Sequence, residues 1–205
     1  MENGVERAGA TLVSNGKMAV TVQACHTTKT TAFCRFVACV RVIVRTAPDP
    51  QAVGCGVADL LQPYLGSDDF LPCDQLAPAE ADYCQHILHV EPDGSFSIVA
   101  LVWLPGQATA VHDHVSWCVV GVHKGEEHEI VYQVNGENGD AHLRPVREQI
   151  NPCGAVAMCI PPGDVHRVAN GGEGVAVSVH VYGADISALG SSIRRRYNLE
   201  VRASA

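Results

Sequence analysis

From Gln85 onward the chain is a rapid succession of short β-prone runs, and this rhythm constrains its fold more than any other feature. Alternating or β-branched segments occupy residues 86–90, 95–104, 118–123, 128–134, 156–160 and 175–182. Turn-forming residues separate them, as in Pro92-Asp93-Gly94 and Asn170-Gly171-Gly172. Short strands at regular spacing predict an all-β sandwich or barrel. Residues 135–140 read as a hairpin loop.

The preceding residues differ in character. Phe33, Phe36, Val37, Val40 and Val44 recur near helical spacing, which predicts an amphipathic helix over 33–45. Pro48 and Asp49 restart the chain, and a second helix is expected over 51–65, ending at Gly66. Both read as a helical cap that packs on something larger. Residues 1–30 are polar, small and Gly/Thr-rich, and a disordered leader is expected there. The expected organisation is a leader (1–30), a helical cap (31–82) and a barrel (83–200) forming one structural domain with the cap.

Composition narrows the function classes. The formal net charge is -8 and the sequence pI about 5.6. Nucleic acid and anionic membranes both demand a positive field, so neither is an expected partner. No segment approaches the roughly 20 apolar residues of a membrane helix, and the first residues lack a signal-peptide pattern. The default location is therefore the cytoplasm. The nine cysteines are scattered, without a C-x-x-C pair, which argues against a structural zinc site or a disulfide framework. Most are expected as small buried apolar residues.

The ten histidines are more telling in placement than in number. On a strand, His112-Asp113-His114 would point both imidazoles to one face and Asp113 to the other. Gly106, five residues, His112, one residue, His114 matches the first half of the cupin signature. Pro161-Pro162-Gly163-Asp164-Val165-His166 through Asn170 fits the second half, P-x-G-x2-H-x3-N. This resemblance, over about residues 85–190, implies a mainly β cupin double-stranded β-helix (jelly roll) with an N-terminal helical cap and a metal inside the barrel. The usual cupin carries a Glu shortly after the second His. Here Val115-Ser116-Trp117-Cys118-Val119 contains no carboxylate. Three neutral ligands leave the metal its full charge and open positions.

Period-2 geometry also places Ser178, His180 and Tyr182 on one strand face. A buried trio of that kind costs free energy unless it is hydrogen-bonded. Together with the segment Pro105-Gly106-Gln107-Ala108-Thr109, these features make the chain resemble the thiol dioxygenases, comprising cysteine dioxygenase and 3-mercaptopropionate dioxygenase. The resemblance runs from about Phe33 to Tyr197. It implies one mononuclear Fe(II) per chain held by His112, His114 and His166. It implies Tyr182 as the active-site phenol, with Ser178 and His180 as its hydrogen-bond support. The implied partners are a small thiol and O₂, converted to the sulfinate.

Gln85, 27 residues before His112, falls where the resemblance implies a substrate-binding residue, Arg in the mammalian-type cysteine enzyme and Gln in the mercaptopropionate type. Gln cannot supply the charge of an Arg clamp, so Gln85 leans toward the mercaptopropionate type or a broader thiol range. Arg194, and with it Arg196, is a candidate cation for the substrate carboxylate, whereas Arg167 should point outward. Cys118 has two readings: a thioether cross-link to Tyr182, as in mammalian-type enzymes, or a buried free thiol. Two other functional classes stay open on sequence grounds: a cupin hydrolase or isomerase using another divalent metal, and a non-catalytic metal-binding cupin.

Overall fold

The computed structural model describes residues 21–24, 29–71 and 76–202. In chain order its elements are β1 (Thr21–Ala24), α1 (Thr31–Thr46), α2 (Pro50–Leu61), β2 (Cys84–Val90), β3 (Ser97–Trp103), β4 (His112–His114) and β5 (Cys118–Lys124). These are followed by β6 (Glu126–Asn135), β7 (His142–Pro152), β8 (Val156–Cys159), β9 (His166–Asn170), β10 (Ala176–Tyr182), α3 (Ile186–Leu189) and β11 (Ile193–Arg196). One sheet has the order β1-β2-β3-β10-β5-β8 and the other β11-β4-β9-β6-β7. Their inner faces meet around a common interior. This mainly β architecture is the double-stranded β-helix expected from the sequence.

The central strands of the larger sheet are buried on both faces, which explains their nearly continuous apolar character. On β10, Val177, Val179 and Val181 face α1 and α2 in one core, together with Phe36, Val40, Val57 and Leu61. The alternate positions of β3 and β10, among them Leu101, Trp103 and Tyr182, face the interior in a second core. Thus α1 and α2 cover the outer side of the sheet whose inner side carries polar residues. Gly121 marks how closely α2 and β5 approach, since a Cβ there would lie 2.7 Å from Leu61.

Helix ends follow local chemistry. Thr30 caps α1 by accepting from the Phe33 N–H at 3.0 Å, and Asp49 caps α2 through the Ala52 N–H at 2.8 Å. The second helix is shorter than expected. Pro63 has no N–H to continue the ladder, so α2 ends at Leu61 and a single 3₁₀ turn, Gln62–Tyr64, follows. Gly66 then takes a positive φ of 81°.

Two other expectations are corrected. Within the stretch expected to be a disordered leader, Thr21–Ala24 forms a strand in parallel register with β2; residues 1–20 and 25–28 lie outside the described residues. The sequence reading also places no strand over 142–152, yet β7 is the longest strand among the described residues. It is an edge strand, exposed along much of its length, and therefore carries Arg144, Pro145, Arg147 and Glu148 without apolar alternation. The expected hairpin loop joins β6 to β7 through a short 3₁₀ turn at Asn138–Asp140. Among the described residues no helix is long and apolar enough to cross a membrane.

Candidate metal centre

Strand pairing brings three distant imidazoles together. His112 lies directly opposite His166 in the β4–β9 ladder, and His114 follows on the same face of β4. Ring centroids are 4.9 Å apart for His112–His114, 4.7 Å for His112–His166 and 5.1 Å for His114–His166. All three side chains are buried, and one nitrogen from each lies within 4.8 Å of the others.

Each ring is oriented from behind through Nδ1. The His112 Nδ1–H donates to the Ala110 carbonyl at 2.9 Å. That of His114 donates to Asp164 Oδ2 at 2.8 Å, and that of His166 to Glu129 Oε1 at 2.8 Å. These acceptors fix the tautomer and leave Nε2 bare, the arrangement that outer carboxylates and carbonyls impose on metal-bound imidazoles. His166 Nε2 is buried without a hydrogen-bond partner, a cost that a ligated cation removes.

Charge at the site fits the same occupant. Burial, reinforced by the neighbouring rings, keeps His112 neutral well below its ordinary range. Burial also lowers His114, against the pull of Asp164. His166 differs: burial lowers it, but Cys159 and Glu129 overcome that and raise it to about 10. Glu129 and Asp164 are themselves held low by their histidines, against burial. The pocket therefore favours one positive charge beside His166, which a metal ion supplies in place of the proton.

Asp113 points away, as expected, and is completely buried on the opposite face of β4. There it accepts from Arg194 Nη2 and, at 2.7 Å, from the Tyr197 hydroxyl. Arg194 is thus committed to Asp113 on the outer side of the strand, which corrects its sequence-based placement as a carboxylate clamp. Arg196 is placed differently on β11 and is exposed. It is opposite His112 in the β4–β11 ladder, and its charge acts on His112, Tyr83 and Asp82.

Ser178, His180 and Tyr182 face the metal pocket in a connected line. Ser178 Oγ is 2.9 Å from His180 Nε2, and Tyr182 Oη is 3.1 Å from His180 Nδ1. Trp103 Nε1–H donates to Ser178 Oγ at 3.2 Å. Burial lowers His180 to about 3, so its ring is neutral. The Tyr182 and His114 ring centroids are 6.2 Å apart. Cys118 is directly opposite Tyr182 on β5, and its Sγ lies 4.0 Å from His180 Nδ1.

His112, His114, His166, His180 and Tyr182 line a cavity of about 30 Å³, room for a water or two. Gln85 lines it on the same side as Tyr83, Leu101 and Trp103. Glu129, absent from the sequence-based candidates, stands on β6 behind His166, and Glu127, also absent from them, is buried two residues earlier on the same strand. Gly125-Glu126-Glu127-His128-Glu129 reads as a charged, solvated stretch. The available signal was its period of 2, which puts Glu127 and Glu129 on one face.

Solved structures with some likeness include the protein TT1209 from Thermus thermophilus, at 24% identity, over 54% of this chain and 92% of that one, with TM-score 0.40. A conserved protein with a double-stranded beta-helix domain from Klebsiella pneumoniae gives 21% identity, over 53% of this chain and 83% of that one, with TM-score 0.39. Peruvianin-I, a cysteine peptidase from Thevetia peruviana latex, gives 25% identity over 44% of this chain, with TM-score 0.35, and the match spans only 52% of that chain. The fold assignment rests on strand order and not on these partial likenesses. A profile of the cysteine dioxygenase type I family matches residues 79–191, more than half of the chain, including the three histidines and Ser178, His180 and Tyr182. The chain belongs to the cysteine dioxygenase type I family.

Proposed function

We propose that this protein is an Fe(II)-dependent thiol dioxygenase that converts a small thiol carboxylate, cysteine or 3-mercaptopropionate, and O₂ to the sulfinate. The observation that carries this reading is the donor set: three buried, convergent imidazoles with no carboxylate among them. His112, His114 and His166 would hold the ion through Nε2. Bound iron supplies a Lewis acid that lowers the thiol pKa and an electron route between thiol and O₂.

The chain's own residues do the rest. Glu129, Asp164 and the Ala110 carbonyl hold the three rings in their ligating tautomer. Tyr182, braced by His180 and Ser178, presents its hydroxyl to the pocket and orients the reactants by hydrogen bonding. Leu101, Trp103 and Tyr83 form an apolar wall that excludes water. Arg196 is the cation whose charge reaches the pocket, and it is our candidate for the substrate carboxylate. Gln85 on the cavity wall offers an amide, not a charge, and favours 3-mercaptopropionate over cysteine. A thioether between Cys118 and Tyr182 belongs to the same reading, as does a reducing cytoplasmic location.

The test is oxygen uptake by the iron-loaded protein with cysteine and 3-mercaptopropionate offered in parallel. Uptake matched by sulfinate supports the proposal, and the faster thiol reports the preference set at Gln85. No uptake with either thiol, in protein shown to contain iron, overturns it.

A further inference from the structure

A second cavity, of about 300 Å³, is lined by Glu129, Cys159, Asp164 and His166 among others. It shares only His166 with the smaller cavity at the three imidazoles. Cys159 ends β8 at the edge of the larger sheet, while Glu129 and His166 lie on β6 and β9 of the smaller one. Their donors converge on the Nδ1 side of the ring. Glu129 Oε1 is 2.8 Å and Cys159 Sγ 4.0 Å from His166 Nδ1. One oxygen, the sulfur and a ring nitrogen all lie within 4.8 Å of one another, and all three residues are buried. Asp164 is an independent sign that this cavity takes a cation. Its side chain is 2% exposed and its Oδ2 holds His114, but its Oδ1 is buried with no hydrogen-bond partner among the described residues. A buried carboxylate oxygen left unpaired costs free energy that a nearby cation removes.

The donor types select the ion. Thiolate, imidazole and carboxylate together suit zinc and its softer relatives, whereas magnesium and calcium call for oxygen alone. Zinc holds nitrogen and oxygen at about 2.0–2.2 Å and sulfur at about 2.3 Å. A tetrahedral site therefore separates nitrogen from oxygen by roughly 3.4 Å and nitrogen from sulfur by roughly 3.6 Å. The observed 2.8 Å and 4.0 Å straddle these values. Opening one contact and closing the other, each by less than about 1 Å, completes the geometry. The cation already at the rim is Arg147, 3.6 Å from Glu129 Oε2. It is exposed, so water and salt screen its charge.

We propose that Glu129, Cys159 and His166 Nδ1 form a second metal site, for a thiophilic divalent cation of the zinc class. The ion takes the place of two protons, one from the Cys159 thiol and one from His166 Nδ1, and both pass to solvent. His166 then binds through both ring nitrogens, Nδ1 to this ion and Nε2 to the ion held with His112 and His114. The new ion also replaces the Nδ1–H···Glu129 hydrogen bond that orients the ring, so its occupancy bears on the three-histidine centre. Asp164 adds a second carboxylate to the cavity wall and holds His114 at the same time. The site goes beyond the proposed function and shares with it only the ligand His166.

The experiment titrates the full, metal-free chain with Co(II), a spectroscopic stand-in for zinc, with neither thiol nor O₂ present. A cobalt–thiolate bond gives an intense near-ultraviolet charge-transfer band that cobalt on imidazoles alone lacks. The wild-type chain should bind two equivalents and show the band. Cys159→Ser should lose the band and still bind one equivalent, which also shows that the variant is folded. No band in the wild-type chain at saturation, binding of a single equivalent, or a band undiminished in Cys159→Ser overturns the proposal. The wild-type arm needs no variant, so it decides even if Cys159→Ser folds poorly. A chain with the Cys159-dependent band that oxidised no thiol would sink the proposed function alone, and an active chain without the band would sink the second site alone.

Discussion

His166 Nδ1 lies 2.8 Å from Glu129 Oε1, two buried side chains aligned by the β6–β9 ladder. This contact aims the bare Nε2 of His166 at the other two imidazoles. Replacing Glu129 by Gln should weaken metal binding about 10–100-fold, the usual cost of losing an outer-shell acceptor. Chelator competition measures it directly. Affinity equal to wild type would show that Glu129 does not orient the ligand.

Tyr182 reaches the pocket without joining the three-histidine set. Tyr182→Phe should therefore retain stoichiometric iron while kcat falls about tenfold or more, the scale of one lost hydrogen bond in a dry site. Metal analysis beside steady-state rates separates the two effects. Loss of iron in this variant would contradict the assigned role.

Cys118 and Tyr182 are direct cross-strand partners. After aerobic turnover with iron, intact mass should fall by two hydrogen atoms as the thioether forms. Cys118→Ala should show no such change. An unaltered wild-type mass after turnover would leave Cys118 as a buried thiol.

Far from the pocket, Arg41 grips Glu91 through Nε at 2.6 Å and Nη2 at 3.0 Å, with His89 Nε2 also 3.0 Å from Glu91. The Arg41 contact holds Glu91 below the ordinary carboxylate range, against burial. Its stabilisation is present above that range and is lost as pH falls through the depressed value. Burial lowers His89 despite Glu91, so the unfolded chain takes up the His89 proton first as pH falls below about 6.5. Both effects lower stability on acidification. Arg41→Gln should lower Tm most at neutral pH, and the deficit should shrink in acid as Glu91 is protonated. Thermal melts across pH check this; a deficit independent of pH would rule out the ion pair as its source.

Phe36 on α1 is wholly buried between the helices and the larger sheet. Phe36→Ala should cost about 3–5 kcal/mol without touching a metal ligand. Urea denaturation gives the loss, and a cost under about 1 kcal/mol would mean that α1 adds little to the core.

The convergence of His112, His114 and His166 was legible because its signals are local. His112-x-His114 fixes a shared face by strand period alone, and the glycine and proline of the second half-motif fix the turn before His166. Ser178, His180 and Tyr182 were legible for the same reason. What stayed hidden depends on pairing between strands. Glu129 matters only because β6 lies beside β9. Arg194 was misplaced because a register shift between Ile193 and Arg195 decides which arginine meets Asp113 and which lies opposite His112. β7 was missed because an exposed edge strand has no need of apolar alternation.

The central claim is that this three-histidine pocket places both atoms of O₂ on a thiol sulfur. Turnover of the iron-loaded protein under isotopically labelled O₂, followed by mass spectrometry of the product, tests it most directly. The account predicts a sulfinate carrying two labelled oxygens, and no such product from His166→Ala. A sulfinate with oxygen from water, or no sulfinate from iron-replete protein, would contradict it.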